Sequence, residues 1–305
     1  MRNSANRKVI VGVALAATAC VMAVLAGGLM TGPAAAEAPS AGLETKWIDG
    51  HAHRVRMIAG RMPSESGRAG IQVVAGVEIE LEPGWKTYWR VPGEAGGVPP
   101  AFDLSQSKNV AEALVLYPAP KRLTDVIGDT IGYKERVVFP VQVTPADPGK
   151  PVELVLEFAF GVCRDICIPA DANLAVDVPS DSVGGLPTAI LEALDHVPRT
   201  EATKRPGDPE VARYETNFSG KQPSVVIDID FGEKADKGDM FAAAPDGLYL
   251  PMARPVQGSG LEEAGRKRFI IDLSETIDAD ELKGKTITLT LVGAKGQSER
   301  TLVLE

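Results

Sequence analysis

The sequence contains very few cysteines, histidines and aromatic residues. Among 305 residues there are 3 cysteines and 3 histidines, and aromatic side chains make up 5% of the chain. So few cysteines exclude a disulfide-dense scaffold, in which bridges replace a large apolar core. The sequence also has no Ser-His-Asp pattern and no nucleophile elbow, and it therefore offers no support for a serine-based hydrolase.

The sequence also has no cluster of Lys and Arg that is large enough to hold a phosphate backbone. The chain has 32 basic and 41 acidic residues, which give a formal net charge of −9. Because a protein must present a basic surface to a phosphate backbone, nucleic acid is not an expected partner. Beyond the amino-terminal region, no apolar run approaches the ~20 residues that span a bilayer. We therefore expect any membrane partner to be a separate chain.

The amino terminus has the pattern of an export signal. Basic residues in the first eight positions precede an uncharged apolar stretch, 9–30, and a run of small residues that ends with Ala36. This order predicts a signal peptide, residues 1–36, that is cleaved after about Ala36. An uncleaved membrane anchor is the alternative, since the apolar stretch is longer than that of most signal peptides.

Apolar and polar residues alternate with a period of two in most of the remaining chain. In residues 71–81, for example, the apolar side chains at the odd positions would lie on one face of a half-buried strand. Similar runs recur up to residue 304, and Pro and Gly clusters separate them as turns. The sequence therefore predicts an all-β protein made of antiparallel β-sandwiches.

A single helix and a polar linker divide this pattern. The helix is predicted from about Pro187 to Val197, and a charged stretch with two prolines follows it. The apolar face of the helix would consist of Ile190, Leu191, Leu194 and Val197. We predict a first sandwich domain at 40–183, a helix and linker at 184–207, and a second sandwich domain at 208–305. The second domain has no cysteine and no histidine, so we expect it to serve as a spacer or docking unit.

Cys163 and Cys167 are the only cysteines that remain after the leader is removed. In the runs 152–162 and 174–178 the apolar residues of the core face occupy even positions. Both cysteines are at odd positions, so they are expected on the outer face of their strands. A hairpin with residues 164–166 at its tip would bring the two sulfurs together outside the core. A partner thiol could reach them there.

The spacing of the pair leaves two interpretations open. An inert staple is one of them, although a closed loop of about five residues contributes only roughly 2 kcal/mol in the chain-entropy model. A pair that cycles between dithiol and disulfide is the other, because short exposed bridges are more often labile. Arg164 would favour a thiolate and Asp165 would oppose it, so charge does not decide which sulfur attacks.

No metal site and no cofactor is predicted. His51, His53 and Met57 would share one face of a strand, an arrangement that could hold a soft ion such as copper. An ordinary first strand with exposed side chains is the preferred interpretation. The histidines also do not complete a zinc site with the two cysteines.

Several segments resemble the amino-terminal periplasmic domain of the DsbD family of thiol:disulfide interchange proteins. The likeness is closest to its ScsB-like branch and to stand-alone relatives that have no transmembrane reductase, and it covers about residues 45–200. The segments that carry it are Tyr-Lys-Glu-Arg-Val-Val-Phe-Pro-Val at 133–141, Pro-Gly-Lys-Pro-Val at 148–152, Phe-Gly-Val-Cys-Arg-Asp-Ile-Cys-Ile-Pro at 160–169, Trp-Lys-Thr-Tyr-Trp-Arg-Val-Pro-Gly at 85–93 and Leu-Tyr-Pro-Ala-Pro-Lys at 116–121.

This resemblance implies an immunoglobulin-like sandwich in the periplasm with thiol–disulfide oxidoreductase activity and no cofactor. It implies that Cys163 and Cys167 are the redox pair. Such a pair receives electrons from a membrane-embedded or thioredoxin-like reductase and passes them to oxidised periplasmic proteins.

In the family, an aromatic residue on a cap loop shields the sulfurs. The similar segment here runs from about Leu123 to Tyr133. Val126 and Ile127 stand in its middle, where no aromatic residue is found. The resemblance therefore makes Tyr133 the candidate shield.

A non-catalytic binding module is the competing function class. It would be an exported β-sandwich protein whose disulfide never cycles, linked to copper tolerance or to cytochrome c maturation. A carbohydrate-binding or adhesion protein is a third class, supported only by the sandwich architecture. The reduction potential of the cysteine pair separates the first two classes, because inert bridges have potentials far below those of exchanging ones.

Overall fold

The runs in which apolar and polar side chains alternate, such as 71–81, form antiparallel strands. The computed structural model describes residues 43–63, 71–125, 128–182, 185–219, 222–232, 235–245, 248–261, 264–274 and 279–305. The predicted signal peptide and its cleavage position lie outside these residues.

The first part of the chain forms two sheets. One has the strand order β1-β2-β3-β9-β6, and the other has the order β11-β10-β4-β8-β7, with β5 paired to β10. We call these two sheets the first sandwich. Their strands are β1 (Ile48–Gly50), β2 (His53–Pro63), β3 (Ile71–Leu81), β4 (Lys86–Tyr88), β5 (Ala101–Asp103), β6 (Val110–Val115), β7 (Lys121–Asp125), β8 (Gly128–Lys134), β9 (Arg136–Pro145), β10 (Val152–Cys163) and β11 (Cys167–Val178).

One apolar core lies between the two sheets of the first sandwich. It combines buried side chains of both sheets, such as Val77 on β3 and Phe158 on β10. The alternation predicted for 71–81 is present, because Val73, Val77 and Ile79 are fully buried. Burial of this apolar surface is the main force that holds the two sheets together.

The second face of β3 is also covered. The polar side chains on that face had predicted that it would be exposed to solvent. Glu78 is 1% exposed. Its carboxylate accepts hydrogen bonds from Arg56 Nε at 2.8 Å and from Arg136 Nε at 2.6 Å. Two cations from the neighbouring strands therefore compensate the buried charge.

Helix α1 (Thr188–Asp195) packs on this covered face. Ile190 is fully buried and forms a small apolar cluster with Ile58 and Val74. Gly76 allows this close approach, since a Cβ atom there would meet Ile190 Cγ1 at 2.9 Å. The helix is shorter than predicted, and Leu191, expected on its apolar face, is exposed.

The chain after α1 forms two further sheets, which we call the second sandwich. Their orders are β12-β13-β16-β15 and β14-β17-β18, and they share a core of their own. The strands are β12 (Glu210–Asn217), β13 (Ser224–Asp230), β14 (Asp239–Ala243), β15 (Arg254–Pro255), β16 (Arg266–Asp272), β17 (Thr286–Val292) and β18 (Gln297–Val303). Short 3-10 helices occur at Glu201–Thr203, Ala235–Lys237 and Ala279–Leu282.

Contacts between the two sandwiches are apolar and ionic. Phe241 and Met252 of the second sandwich join the core of the first, and Phe241 packs on Trp89 with ring centroids 6.1 Å apart. Arg122 on β7 donates two hydrogen bonds to Asp239 on β14, at 3.0 and 3.1 Å. The two sandwiches therefore share an interface with interdigitated side chains.

The prediction of an all-β fold of antiparallel sheets is confirmed, because the strands of all four described sheets pair antiparallel. The described residues lie in one compact unit of the chain, and the division into domains at 184–207 stays a prediction. Of the helices described, none has the length and apolarity needed to cross a membrane.

Candidate disulfide exchange site

The hairpin of β10 and β11 places the two cysteines opposite each other. The two strands pair in continuous register from Val152 with Val178 up to Cys163 with Cys167. The Cα atoms of the cysteines are 4.2 Å apart, and their sulfurs form a disulfide. The predicted hairpin with residues 164–166 at its tip is thereby confirmed.

The two sulfur-bearing residues differ sharply in exposure. Cys163 is 2% exposed, because β10 has a neighbour on each side here: Cys163 pairs with Lys86 on β4 as well as with Cys167. Cys167 is exposed, since it begins β11, the edge strand of the sheet. Cys163 lies outside the apolar core, as its parity predicted, but it is covered from the other side.

Tyr88 lies directly against the exposed cysteine. Its hydroxyl oxygen is 3.1 Å from Cys167 Sγ, and the residue is 2% exposed. A disulfide sulfur carries no hydrogen, so the hydroxyl donates to it. The ring lies beside Gly161, where a Cβ atom would be 3.4 Å from Tyr88 Cε2 but only 2.9 Å from Val98 Cβ. The missing side chain at Gly161 thus leaves room for Val98.

Residues 91–98, which we call the covering loop, lie over the ring of Tyr88. A Cβ atom at Gly97 would meet the ring at 2.3 Å, so only glycine permits this contact. The next residue, Val98, accepts a hydrogen bond from the Gly161 amide at 3.1 Å. Ala95 donates its amide to the Asp129 carbonyl at 3.2 Å. Backbone contacts therefore hold the loop to both β10 and β8.

A buried cation lies beside the pair. Lys86 is 6% exposed, and its Nζ donates to Asp125 Oδ2 at 2.5 Å and to Thr130 Oγ1 at 2.9 Å. Because Lys86 and Cys163 are directly opposed in the sheet, both side chains lie on the same face. The site is thus a polar and aromatic cluster on the outer face, separate from the apolar core.

The environment keeps Tyr88 protonated. Burial of the phenol raises its pKa, and the negative charge of Asp125 raises it further. A phenol whose pKa lies above its ordinary value remains a hydrogen-bond donor over the whole neutral range. Tyr88 therefore presents a donor to Cys167 in either oxidation state of the pair.

The tip of the hairpin is exposed on the other side. Arg164 pairs with Asp165 at 3.0 Å, and its guanidinium lies 5.2 Å from the ring centroid of Trp85. Ile166 is 67% exposed. A cavity of about 60 Å³ lies between this tip, Tyr88 and Ala95. It is open only to small groups.

The residues predicted for the cap have different outcomes. Tyr133 lies in the core of the first sandwich, where its hydroxyl donates to the Pro118 carbonyl at 2.8 Å. Val126 and Ile127 lie outside the described residues. The aromatic side chain in contact with the sulfur is Tyr88, and the shielding role of Tyr133 stays a prediction.

The histidines near the start of the first sandwich pack on aromatic rings. His51 lies 5.3 Å from Trp85, and His53 lies 5.0 Å from Phe160, measured between ring centroids. Within the described ranges, no three or more His, Cys, Asp or Glu side chains are grouped closely enough to hold a metal ion.

Comparison with known families identifies the segment that carries this site. Residues 63–179 of this chain match a DsbD amino-terminal domain, the family described as thiol:disulfide interchange protein DsbD, N-terminal. The match includes both cysteines, Tyr88 and the covering loop, so every group in contact with the disulfide lies inside this domain.

The fold is similar to that of a solved structure, the crystal structure of the N-terminal periplasmic domain of ScsB from Proteus mirabilis. The TM-score is 0.62 at 20% sequence identity, and the likeness covers 86% of this chain and 98% of that chain. It extends well beyond the DsbD amino-terminal domain and confirms the predicted fold class. A search of curated proteins found no match.

Proposed function

We propose that this protein is a periplasmic thiol–disulfide interchange protein that relays electrons through Cys163 and Cys167. The observation that supports this proposal is the difference in exposure between the two bonded cysteines. Cys163 is buried, whereas Cys167 is open to a partner. A membrane-embedded or thioredoxin-like reductase supplies the electrons. Oxidised periplasmic proteins accept them.

In the transfer to a substrate, the reduced pair provides two thiols. The Cys167 thiolate attacks one sulfur of the substrate disulfide, whose other sulfur leaves as a thiolate and takes up a proton. The Cys163 thiolate then attacks Cys167 Sγ in the mixed disulfide. The second substrate thiol is released, the Cys163–Cys167 bond forms, and two electrons have passed to the substrate.

The exposure of the two cysteines supports this order. An attacking sulfur must approach a foreign disulfide in line, and the exposed position of Cys167 on an edge strand permits that approach. A resolving sulfur needs to reach only its neighbour, and the buried position of Cys163 at 4.2 Å between Cα atoms is suited to it. We therefore infer that the carboxyl-terminal cysteine, Cys167, is the attacking one.

Tyr88 contributes a hydrogen-bond donor to the attacking sulfur. With its hydroxyl 3.1 Å from Cys167 Sγ, it can stabilise the thiolate that forms there, because hydrogen bonds to charged acceptors are stronger than those to neutral ones. The ring also covers one side of the disulfide. Tyr88 therefore restricts the directions from which a partner can approach.

A partner would meet a small apolar surface around Cys167. Ile166 is 67% exposed and Val98 is 41% exposed, and both lie beside the site because Ile166 precedes Cys167 and Val98 contacts Gly161. Exposed apolar side chains next to a reactive group are typical of transient docking surfaces. This supports a protein rather than a small molecule as the exchange partner.

Single cysteine variants test the proposal in cells. In Cys163→Ser the exposed Cys167 lacks its resolving partner, and we expect mixed disulfides with other proteins on non-reducing gels after acid quenching and alkylation. In Cys167→Ser the remaining thiol is buried, and we expect far fewer adducts. The double variant is the control. Absence of adducts from both single variants would contradict the relay, and equal adducts would contradict the assignment of Cys167.

A further inference from the structure

The covering loop is held from two sides. Its inner side packs on the ring of Tyr88 and on Gly161, as described above. Its outer side is bound by the second sandwich. The loop therefore connects a sheet that has no redox residue to the sulfur pair.

Met252 and Arg254 make the contacts from the second sandwich. The Met252 amide donates to Glu94 Oε1 at 3.2 Å, and the Glu94 amide donates to Met252 Sδ at 3.4 Å. Arg254, on β15, forms an ion pair with the other oxygen of the same carboxylate. Gly93 completes the contact, because a Cβ atom there would meet Met252 Sδ at 2.9 Å.

Arg254 also reaches β8. Its Nη1 lies 3.7 Å from Asp129 Oδ2, and the Asp129 carbonyl accepts the amide of Ala95, which lines the cavity beside the disulfide. Arg254 thus binds Glu94 directly, and it also contacts Asp129, which holds the next residue, Ala95. The second sandwich therefore holds the part of the loop that lines the cavity beside the disulfide.

We propose that the second sandwich controls access to the Cys163–Cys167 disulfide by holding the covering loop over Tyr88, with Glu94 and Arg254 as positioning residues. This inference rests on the proposed exchange function and gives the second sandwich a role beyond that of a spacer. Loss of the Glu94–Arg254 contact loosens the loop, Tyr88 moves more freely, and an external thiolate reaches Cys167 Sγ more often.

The test is the rate at which dithiothreitol reduces the purified full-length protein. Its thiolate attacks Cys167 Sγ, the Cys163–Cys167 bond breaks, and Cys163 leaves as a thiolate that is protonated. The second thiol of the reagent resolves the mixed disulfide, so the reagent is oxidised and the pair is reduced. The rate is followed by alkylation of the two released thiols.

We expect Arg254→Met to raise this rate constant about threefold, the size of effect that an exposed ion pair supports. Arg254→Lys keeps the charge opposite Glu94 and should react at close to the wild-type rate. Arg266→Met is the matched control, because Arg266 is a similarly exposed arginine of the same sheet whose partner is Asp230. It should leave the rate unchanged.

The same substitution in a Tyr88→Leu variant shows whether Arg254 acts by positioning the covering loop or by stabilising the protein in general. If Arg254 acts through Tyr88, Arg254→Met should accelerate reduction of the wild-type protein but not of a Tyr88→Leu variant. Urea midpoints of all variants show whether each is folded. Unchanged rates in Arg254→Met, equal acceleration in Arg266→Met, or acceleration that persists beside Tyr88→Leu would each overturn the inference.

The outcome is independent of the relay itself. Dithiothreitol reports on access to the disulfide whether or not the pair cycles in cells, so the coupling to the second sandwich can hold when the exchange function fails. Failure of the exchange function would instead appear as missing adducts in the single cysteine variants.

Discussion

The two cysteines differ at the level of single residues because of their strand neighbours. Cys163 has a strand on each side, whereas Cys167 begins an edge strand. One sulfur is therefore covered and the other is open, although both lie on the same outer face. This difference follows from sheet order and does not require a special local sequence.

The hydroxyl of Tyr88 should assist the attacking thiolate. We predict that reduced Tyr88→Phe reacts with glutathione disulfide about fourfold more slowly than wild type at pH 7. A lost hydrogen bond to a charged acceptor lowers the thiolate fraction, and the greater nucleophilicity of the less stabilised thiolate offsets only part of that loss. Stopped-flow measurement of the second-order rate constant checks this.

Tyr133→Phe is the control for this prediction, because its hydroxyl donates to the Pro118 carbonyl in the core. It should react with glutathione disulfide at the wild-type rate. A Tyr88→Phe rate equal to or above that of wild type at pH 7 would contradict the role given to the hydroxyl.

At the scale of single residues, the sequence predicts where the two sulfurs lie but not which side chains surround them. The alternation of apolar residues along β10 and β11 predicted that Cys163 and Cys167 lie on one face of a hairpin. This could be predicted because the face that a side chain occupies follows from its immediate neighbours in the strand. The contact of Tyr88 joins positions 79 apart in sequence, and local patterns carry no information about such pairs. The segment 85–93, which resembles the DsbD family, contains Tyr88 and is the sequence feature that indicates this region.

At the scale of elements, the ion pair between Arg268 and Asp228 links two strands of the second sandwich. Arg268 on β16 donates to both carboxylate oxygens of Asp228 on β13, at 2.6 and 2.8 Å. The hydrogen bonds from Arg268 lower the pKa of Asp228, and this effect outweighs the burial that would raise it. The charged form is therefore the one that stabilises the fold.

This predicts a pH-dependent contribution to stability. An unfolded Asp titrates near pH 3.9, and since the folded pKa is lower, the contribution is present above about pH 4 and is lost as pH falls through the folded pKa. Asp228→Asn should lower the free energy of unfolding by about 1 kcal/mol at pH 7. The difference from wild type should shrink at pH 2.5.

Urea unfolding at the two pH values measures both differences. Asp230→Asn, on the same strand with a more exposed partner at 3.5 Å, is the control and should change stability by less than about 0.5 kcal/mol. A loss in Asp228→Asn that is the same at both pH values would show that the charge of Asp228 is not its cause.

The sequence predicts where the strands are, but it does not predict what packs against each face of a strand. The run 71–81 forms β3 as its alternation predicted, but Glu78 is buried between two arginines from other strands. Helix α1 was expected to bury Leu191, which is exposed because the helix packs through Ile190 and Ala193. Which face a neighbour covers depends on tertiary packing, and periodicity does not encode it.

At the scale of the whole molecule, the interface between the sandwiches should make them unfold together. Arg122 binds Asp239 through two hydrogen bonds and the Ala253 carbonyl through a third, at 2.8 Å. We predict that Arg122→Met lowers the free energy of unfolding by about 2 kcal/mol, because it removes charged hydrogen bonds from a largely buried side chain.

Two probes show whether unfolding is still cooperative. All 3 tryptophans belong to the first half of the chain, so their fluorescence reports on the first sandwich, while far-ultraviolet circular dichroism reports on both. The two curves should coincide for wild type and separate for Arg122→Met. Arg213→Met, on an exposed part of β12, is the control. Coincident curves with an unchanged midpoint in Arg122→Met would contradict a coupling interface.

The reduction potential of the Cys163–Cys167 pair tests the central claim most directly. Equilibration of the purified protein with defined dithiothreitol or glutathione redox buffers, followed by alkylation, gives this value. A pair that exchanges electrons in the periplasm should have a potential between about −120 and −270 mV, the range of known exchange proteins. A potential below about −300 mV, which is typical of inert structural bridges, would contradict the account.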